Sequence, residues 1–176
     1  ERYVLFARVN AVYNMDFRPL LRFHQNTAAD ITMVVSPARC DDTADSIVVR
    51  KAANGLVEDI SLRPTVQKGE ARALGLYLME KKRFIQLVRE AFEHGGKDFR
   101  RDVVIPAAAK NAIYACEHGG FSSRICSVRG FYKANMAMLT PAIWEEMFLR
   151  EGAAVLTKVK DMPPVRYKEG AKVTNS

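Results

Sequence analysis

The stretch Val4-Leu5-Phe6-Ala7-Arg8-Val9-Asn10 puts a side-chain amide at the end of an apolar, strand-like run. Many phosphate-handling α/β enzymes carry a metal-binding carboxylate at such a strand end. An amide oxygen is a neutral and weaker ligand for a hard cation such as Mg²⁺. Asn10 therefore reads in two ways, as a tolerated substitution or as the mark of a lost chemistry. The other chemistry-bearing residues do not decide between them. His24, His94 and His118 lie far apart, and Cys40, Cys116 and Cys126 form no C-x-x-C pair, so no zinc-ligand spacing is present. Three cysteines without framework spacing predict reduced thiols in a cytoplasmic compartment, packed as small apolar groups. No nucleophile elbow, Walker loop or dinucleotide fingerprint occurs.

The elements that must position Asn10 alternate between strand and helix. Residues 3–9 form a near-continuous apolar run, expected to be a strand covered on both faces. Asp16 precedes a helical pattern with Pro19 early and Leu20, Leu21, Phe23 and His24 on one face, which makes Asp16 an N-cap. Residues 31–36 read as the next strand, and residues 37–46 as a polar loop. Asn54-Gly55 supplies turn chemistry between two β-branched runs, a hairpin signal. A second loop over 62–71 and a buried strand over 74–79 lead into the clearest helix, 80–96. There Phe84, Ile85, Leu87, Val88, Ala91 and Phe92 repeat at helical spacing before Gly95-Gly96. Short strands are expected at "AIYACEH" and "RICSV" around the turn "GGFSS", then a last helical stretch broken near Thr140-Pro141. Glu-His-Gly-Gly occurs at 93–96 and again at 117–120, once as a helix stop and once as a strand turn, so it is not a repeat.

At 176 residues the chain suits one medium unit with its own core. No apolar run is long enough to span a membrane. Twenty-seven Lys and Arg against 20 Asp and Glu give a net charge of +7, which favours anionic partners such as phosphorylated metabolites or an acidic subunit. The basic residues are dispersed rather than interleaved with aromatics, the pattern of a solvated face and not of a nucleic-acid motif. The first residue is Glu and a strand begins at once, so a fragment of a longer protein is expected.

"VYNMDFRPLLRFHQNTAADITMVV", "LGLYLMEKKRFIQLV", "KDFRRDVVIP", "GFYKANMAML" and "TKVKDMPPVRYKEGAKVTNS" together resemble, in the same order, the glucose-1-phosphate adenylyltransferases. Within that family the resemblance leans toward the regulatory, GlgD-type branch. It implies an α/β fold: the second part of a Rossmann-like, GT-A type nucleotidyltransferase domain, with a mixed sheet flanked by helices. That part would span residues 1–157, with 158–176 an extended linker toward a left-handed β-helix beyond this sequence.

The resemblance also speaks to Asn10. Catalytic members of the family hold Mg²⁺ with two aspartates, and those positions fall on Asn10 and on or next to Arg124. A guanidinium has no lone pair to offer and repels a dication. A slip in register would instead bring Asp98 or Asp102 to the metal; otherwise these two cap the helix of "DFRRDVVIP". The family's Glu-Lys-Pro at the sugar phosphate is Leu62-Arg63-Pro64 here: Arg63 keeps a cation for a phosphate, and Leu62 cannot accept a sugar hydroxyl. A family serine is Ala73, while Lys133 matches and reads either as a phosphate or effector contact or as a solvated residue. The implied function is a non-catalytic regulatory subunit that needs no cofactor of its own. It would assemble with a catalytic subunit into a heterotetramer, or self-associate, and sense a phosphorylated effector. An active sugar-1-phosphate nucleotidyltransferase with a rearranged metal site is the alternative, and a binding module for acidic polymers a third.

Overall fold

A long central strand, broken by one glycine, organises the computed structural model, which describes residues 1–36 and 46–155 together with Gly170, Lys172 and Thr174. The elements run β1 (Tyr3–Ala7), β2 (Ala11–Tyr13), α1 (Phe17–Asn26), β3 (Ile31–Ser36), β4 (Ser46–Lys51), β5 (Val57–Arg63), β6 (Glu70–Glu80) and α2 (Lys81–Glu93). A π-helical turn (Phe99–Val104) then runs into α3 (Ile105–Ala107), followed by β7 (Ile113–Glu117), β8 (Ser122–Arg124), α4 (Val128–Ala137) and α5 (Pro141–Phe148).

The main sheet has the order β5-β4-β6-β3-β7. β4 pairs with residues Glu70–Arg72 of β6, and β1 with Leu76–Glu80, so two strands share one side of β6 end to end while β3 takes the other. Among the described strands only β3 and β7 pair in parallel. Between Val34, opposite Leu76, and Val35, opposite Ala73, the β3–β6 register shifts. Gly75 sits in that bulge at φ +83°, a left-handed conformation that any side chain would strain.

The period-two alternation of strands assigns each face its core. Ile31, Met33, Val35, Tyr77 and Met79 face Leu87 of α2 and Val103 and Val104 of the π-helical turn. Val34, Leu76 and Leu78 face Leu20 of α1. The result is a mixed α/β domain, a central mixed sheet flanked by helices. Phe6 of β1 stacks on Phe99 with ring centroids 4.1 Å apart, which ties the end of β1 to the π-helical turn. No described helix is long and apolar enough to cross a membrane.

Local signals hold where they are strong. Asp16 caps α1, accepting from the Arg18 amide at 2.9 Å. Asn54-Gly55 closes the β4–β5 hairpin with Gly55 at φ +89°, and Pro141 opens a separate α5. Three expectations are corrected. β1 is a partly exposed strand ending at Ala7, because the chain turns at Val9, which is fully exposed, rather than continuing between two helical layers. "RICSV" is not a strand beyond Arg124, and β8 pairs with β2 in a separate two-stranded ribbon because β7 is taken into the main sheet by β3. The second loop is shorter than 62–71, since β5 runs through Arg63 and β6 starts at Glu70. The polar loop over 37–45, Cys40 and, save three residues, the linker over 158–176 lie outside the described residues.

Candidate functional site

The chain leaves β1, turns at Val9-Asn10 and enters β2, whose Ala11 lies opposite Arg124 of β8. That antiparallel pairing brings Asn10 and Arg124, more than a hundred positions apart, to one place. The Asn10 carbonyl accepts from the Ile125 amide at 2.8 Å. Its side-chain Nδ2 donates to the Ile125 carbonyl and to Cys126 Sγ, each at 3.2 Å. Arg124 is 8% exposed, and its Nε donates to the same Cys126 Sγ at 2.8 Å. Cys126 is exposed and is the shared acceptor of both groups, not the packed apolar group expected of it.

Two further arginines border this corner. Arg8, the one charged residue of the β1 run, donates its backbone N–H to the Gly75 carbonyl at 3.0 Å and lays its side chain over that glycine. A Cβ at Gly75 would stand 2.6 Å from Arg8 Cγ and closer still to Cδ, so the bulge glycine is what gives Arg8 its path. Burial first, then the charges of Arg124 and Arg100, hold the Arg8 guanidinium below its ordinary pKa. Arg100, beside Phe99 in the π-helical turn, is paired with Asp98 at 2.9 Å. That hydrogen-bonded ion pair lowers Asp98 to about 2.

Asp98 and Asp102 are committed to backbone. Asp98 Oδ1 accepts from the amides of Arg100 and Arg101, and Asp102 Oδ2 from those of Lys97 and Asp98. Asp98 caps the π-helical turn, and Asp102, inside it, holds the segment that leads in. The remaining sequence candidates are scattered. Leu62 packs against the larger core, and Ala73 is buried in it opposite Val35. Arg63 spends its fork within the chain: Nε on Ser61 Oγ at 3.1 Å, Nη1 on the Thr65 carbonyl at 2.6 Å, and Nη2 on the Glu70 carboxylate. A phosphate at Arg63 would compete with Glu70. Lys133 is exposed on α4. The structure thus joins Asn10 with Arg124, sets Leu62 and Ala73 in the larger core, and engages Arg63 with Glu70. Sequence reasoning missed Arg8, Arg100 and Cys126; a lone arginine inside an apolar strand run was the one available signal.

Mg²⁺ seeks several anionic oxygens in octahedral array. The corner offers one neutral amide, already turned toward Ile125 and Cys126, beside the guanidiniums of Arg8 and Arg124. Among the described residues no three His, Cys, Asp or Glu side chains group as a metal site. One unit charge at ~4 Å is worth ~4 kcal/mol at an effective dielectric of ~20, so each guanidinium at that range opposes a divalent ion strongly. The residues present do not fit Mg²⁺.

Fold and corner together make a mixed α/β domain, with a central mixed sheet flanked by helices, of the kind that a nucleotidyltransferase-like domain has. No protein-family model matches the chain. Its curated homologues, however, are glucose-1-phosphate adenylyltransferases, a GlgD-type protein among them. The glucose-1-phosphate adenylyltransferase of Thermomicrobium roseum is 27% identical over 179 residues, covering 99% of this chain and 41% of the relative. The glycogen biosynthesis protein GlgD of Bacillus subtilis is 24% identical over 176 residues, covering 100% of this chain and 41% of its own length. The chloroplastic/amyloplastic small subunit of wheat, Triticum aestivum, is 25% identical over 188 residues, covering 94% of the chain and 39% of the relative. The chain spans about two fifths of the length of the curated relatives it matches.

Proposed function

We propose that this chain belongs to a non-catalytic regulatory subunit of glucose-1-phosphate adenylyltransferase, a protein of ADP-glucose and glycogen synthesis. The observation that carries the reading is the corner of Asn10 and Arg124, where a cation-repelling guanidinium and a neutral amide stand where catalytic members would hold Mg²⁺. Leu62 and Ala73, taken into the core at the implied sugar positions, are in keeping with it. The chain would be the second part of a GT-A type domain, followed by a linker toward a β-helix, in a cytoplasmic protein whose described cysteines are unpaired.

Regulation requires a partner, here a catalytic subunit in a heterotetramer or a second copy of the same protein. α4 supports such assembly: Ala134 faces the body, while Val128, Phe131, Tyr132 and Met136 form an exposed apolar stripe. Coupling would act by biasing two states of the shared interface, with no bond made at this site.

The names of the Thermomicrobium and wheat relatives favour a second reading, an active nucleotidyltransferase acting on ATP and glucose 1-phosphate. Turnover by the full-length protein separates the two. The regulatory reading expects no Mg²⁺-dependent ADP-glucose formation by the protein alone, and altered substrate affinity when it is mixed with a catalytic subunit. ADP-glucose formation by the protein alone at catalytic-subunit rates overturns it.

A further inference from the structure

We infer that the groove between α2 and the π-helical turn with α3 docks an extended peptide segment of a partner protein, acidic at both ends and apolar between. The groove has a volume of about 650 Å³ and is long rather than round. Arg83, Leu87, Ala91 and His94 recur along one face of α2 and its end, so at ~1.5 Å per residue this wall runs about 16 Å. The opposite wall runs the other way. Asp30 pairs with Arg83 at 3.6 Å and accepts from the Ala112 amide at 2.8 Å, which sets Asn111 across from Arg83. At the far end a Cβ on Gly96 would stand 2.8 Å from Asp102 Cβ, so a glycine there lets the two walls close.

Three observations point to a peptide. The floor is apolar, made by the buried Leu87, Val103 and Ala107. The polar atoms of one end are incomplete. Asn111 donates Nδ2 to the Ala107 carbonyl at 2.8 Å, yet its Oδ1 meets no donor and Arg83 Nε meets no acceptor among the described residues. Unpaired buried polar atoms are costly, and one acceptor beside one donor is the complement of a peptide N–H and C=O. Both side chains are half-covered, so each has room to turn its atom toward an occupant. Third, Lys110 at this end and Arg101 at the Gly96 end are exposed and make no ion pair among the described residues. The two carboxylates that line the groove are engaged by the chain: Glu90 accepts from Gln86 at 2.8 Å, and Asp102 from the amides of Lys97 and Asp98. An extended segment of five residues, at ~3.3 Å each, spans about the same 16 Å and brings a carboxylate to each cation. A compact anion reaches one end only. None of these residues belongs to the Asn10–Arg124 corner, and the inference stands apart from the regulatory reading.

The test is fluorescence anisotropy of the full-length protein with the labelled peptide fluorescein-Glu-Leu-Ala-Leu-Glu-amide at low salt. Saturable binding is expected, to weaken as salt rises, and to fall roughly tenfold or more when Arg101→Glu and Lys110→Glu are combined. The same peptide with lysine at both ends is expected not to bind, and this reads the charges on the parent protein whatever the double variant's thermal melt shows. Arg89→Gln, an exposed charge on α2 outside the groove, is expected to bind as the parent does. Absent saturable binding, equal affinity for the lysine peptide, unchanged affinity in a folded double variant, or equal loss in Arg89→Gln each overturns the inference. Displacement of the peptide by inorganic pyrophosphate at the peptide's own concentration overturns it too, in favour of a small anion.

Discussion

Asn10→Asp combined with Arg124→Asp is the sharpest probe of the corner. The double change replaces a neutral amide by a carboxylate and a cation by an anion, moving the local charge by three units toward negative. The structure fixes where those charges go: Ala11 pairs with Arg124, and the Asn10 backbone bonds to Ile125, so both new carboxylates project from one short ribbon. Even at the dielectric of bulk water, each unit charge at ~4 Å is worth ~2 kcal/mol to a divalent ion, more than tenfold in affinity. Arg8 and Arg100 remain beside the new carboxylates and compete for them, which takes back part of the gain. A rise in Mg²⁺ affinity on the order of 100-fold is therefore expected. Calorimetric titration of the full-length double variant with Mg²⁺ measures it, with Asn10→Asp alone giving a smaller step and a urea melt checking the fold. A folded double variant that binds Mg²⁺ no better than the parent refutes the placement of both residues and the electrostatic argument built on it.

Other expectations follow from the same structure. Gly75→Ala strains a residue at φ +83° and drives the Arg8 side chain aside, so it should lower stability by ~1–2 kcal/mol in urea denaturation. His24, 3% exposed with Nδ1 2.8 Å from Thr32 Oγ1, has its pKa lowered by burial. The unfolded chain then binds the extra proton first, and stability should fall as pH drops below about 6.5, with a flatter melting profile in His24→Gln. Asp98 is depressed to about 2 from 3.8, so its contribution is present above the unfolded value and lost as pH falls through that window. Asp98→Asn should flatten the acid limb of thermal melts and loosen the π-helical turn that it caps.

The elements that were legible in sequence are those whose cause is local. Asp16 before the α1 pattern, Asn54-Gly55 between two strands, and Pro141 after Thr140 each act within a turn or two, and each sits where its chemistry demands. The apolar repeat of α2 was equally plain, yet of its apolar set only Leu87 is buried, while Phe84 and Ala91 are half-covered and Phe92 is exposed. Periodicity located the helix but not the depth of its face. The β1 run misled for a related reason: five apolar residues look the same whether a strand is covered on both faces or, as here, partly exposed.

The site divides along the same line. The sequence alone determined that Asn10 ends a strand run, that Arg124 precedes the last helical stretch, and that neither can supply an anionic oxygen, because ligand chemistry is a property of the side chain itself. Only tertiary structure decided that these two meet, with the Asn10 amide and the Arg124 guanidinium converging on Cys126 across more than a hundred residues. It also decided that Arg8 and Arg100 join them, through a glycine bulge and a stacked pair of phenylalanines. Charges act through space, and strand pairing fixes distances that no local sequence pattern encodes.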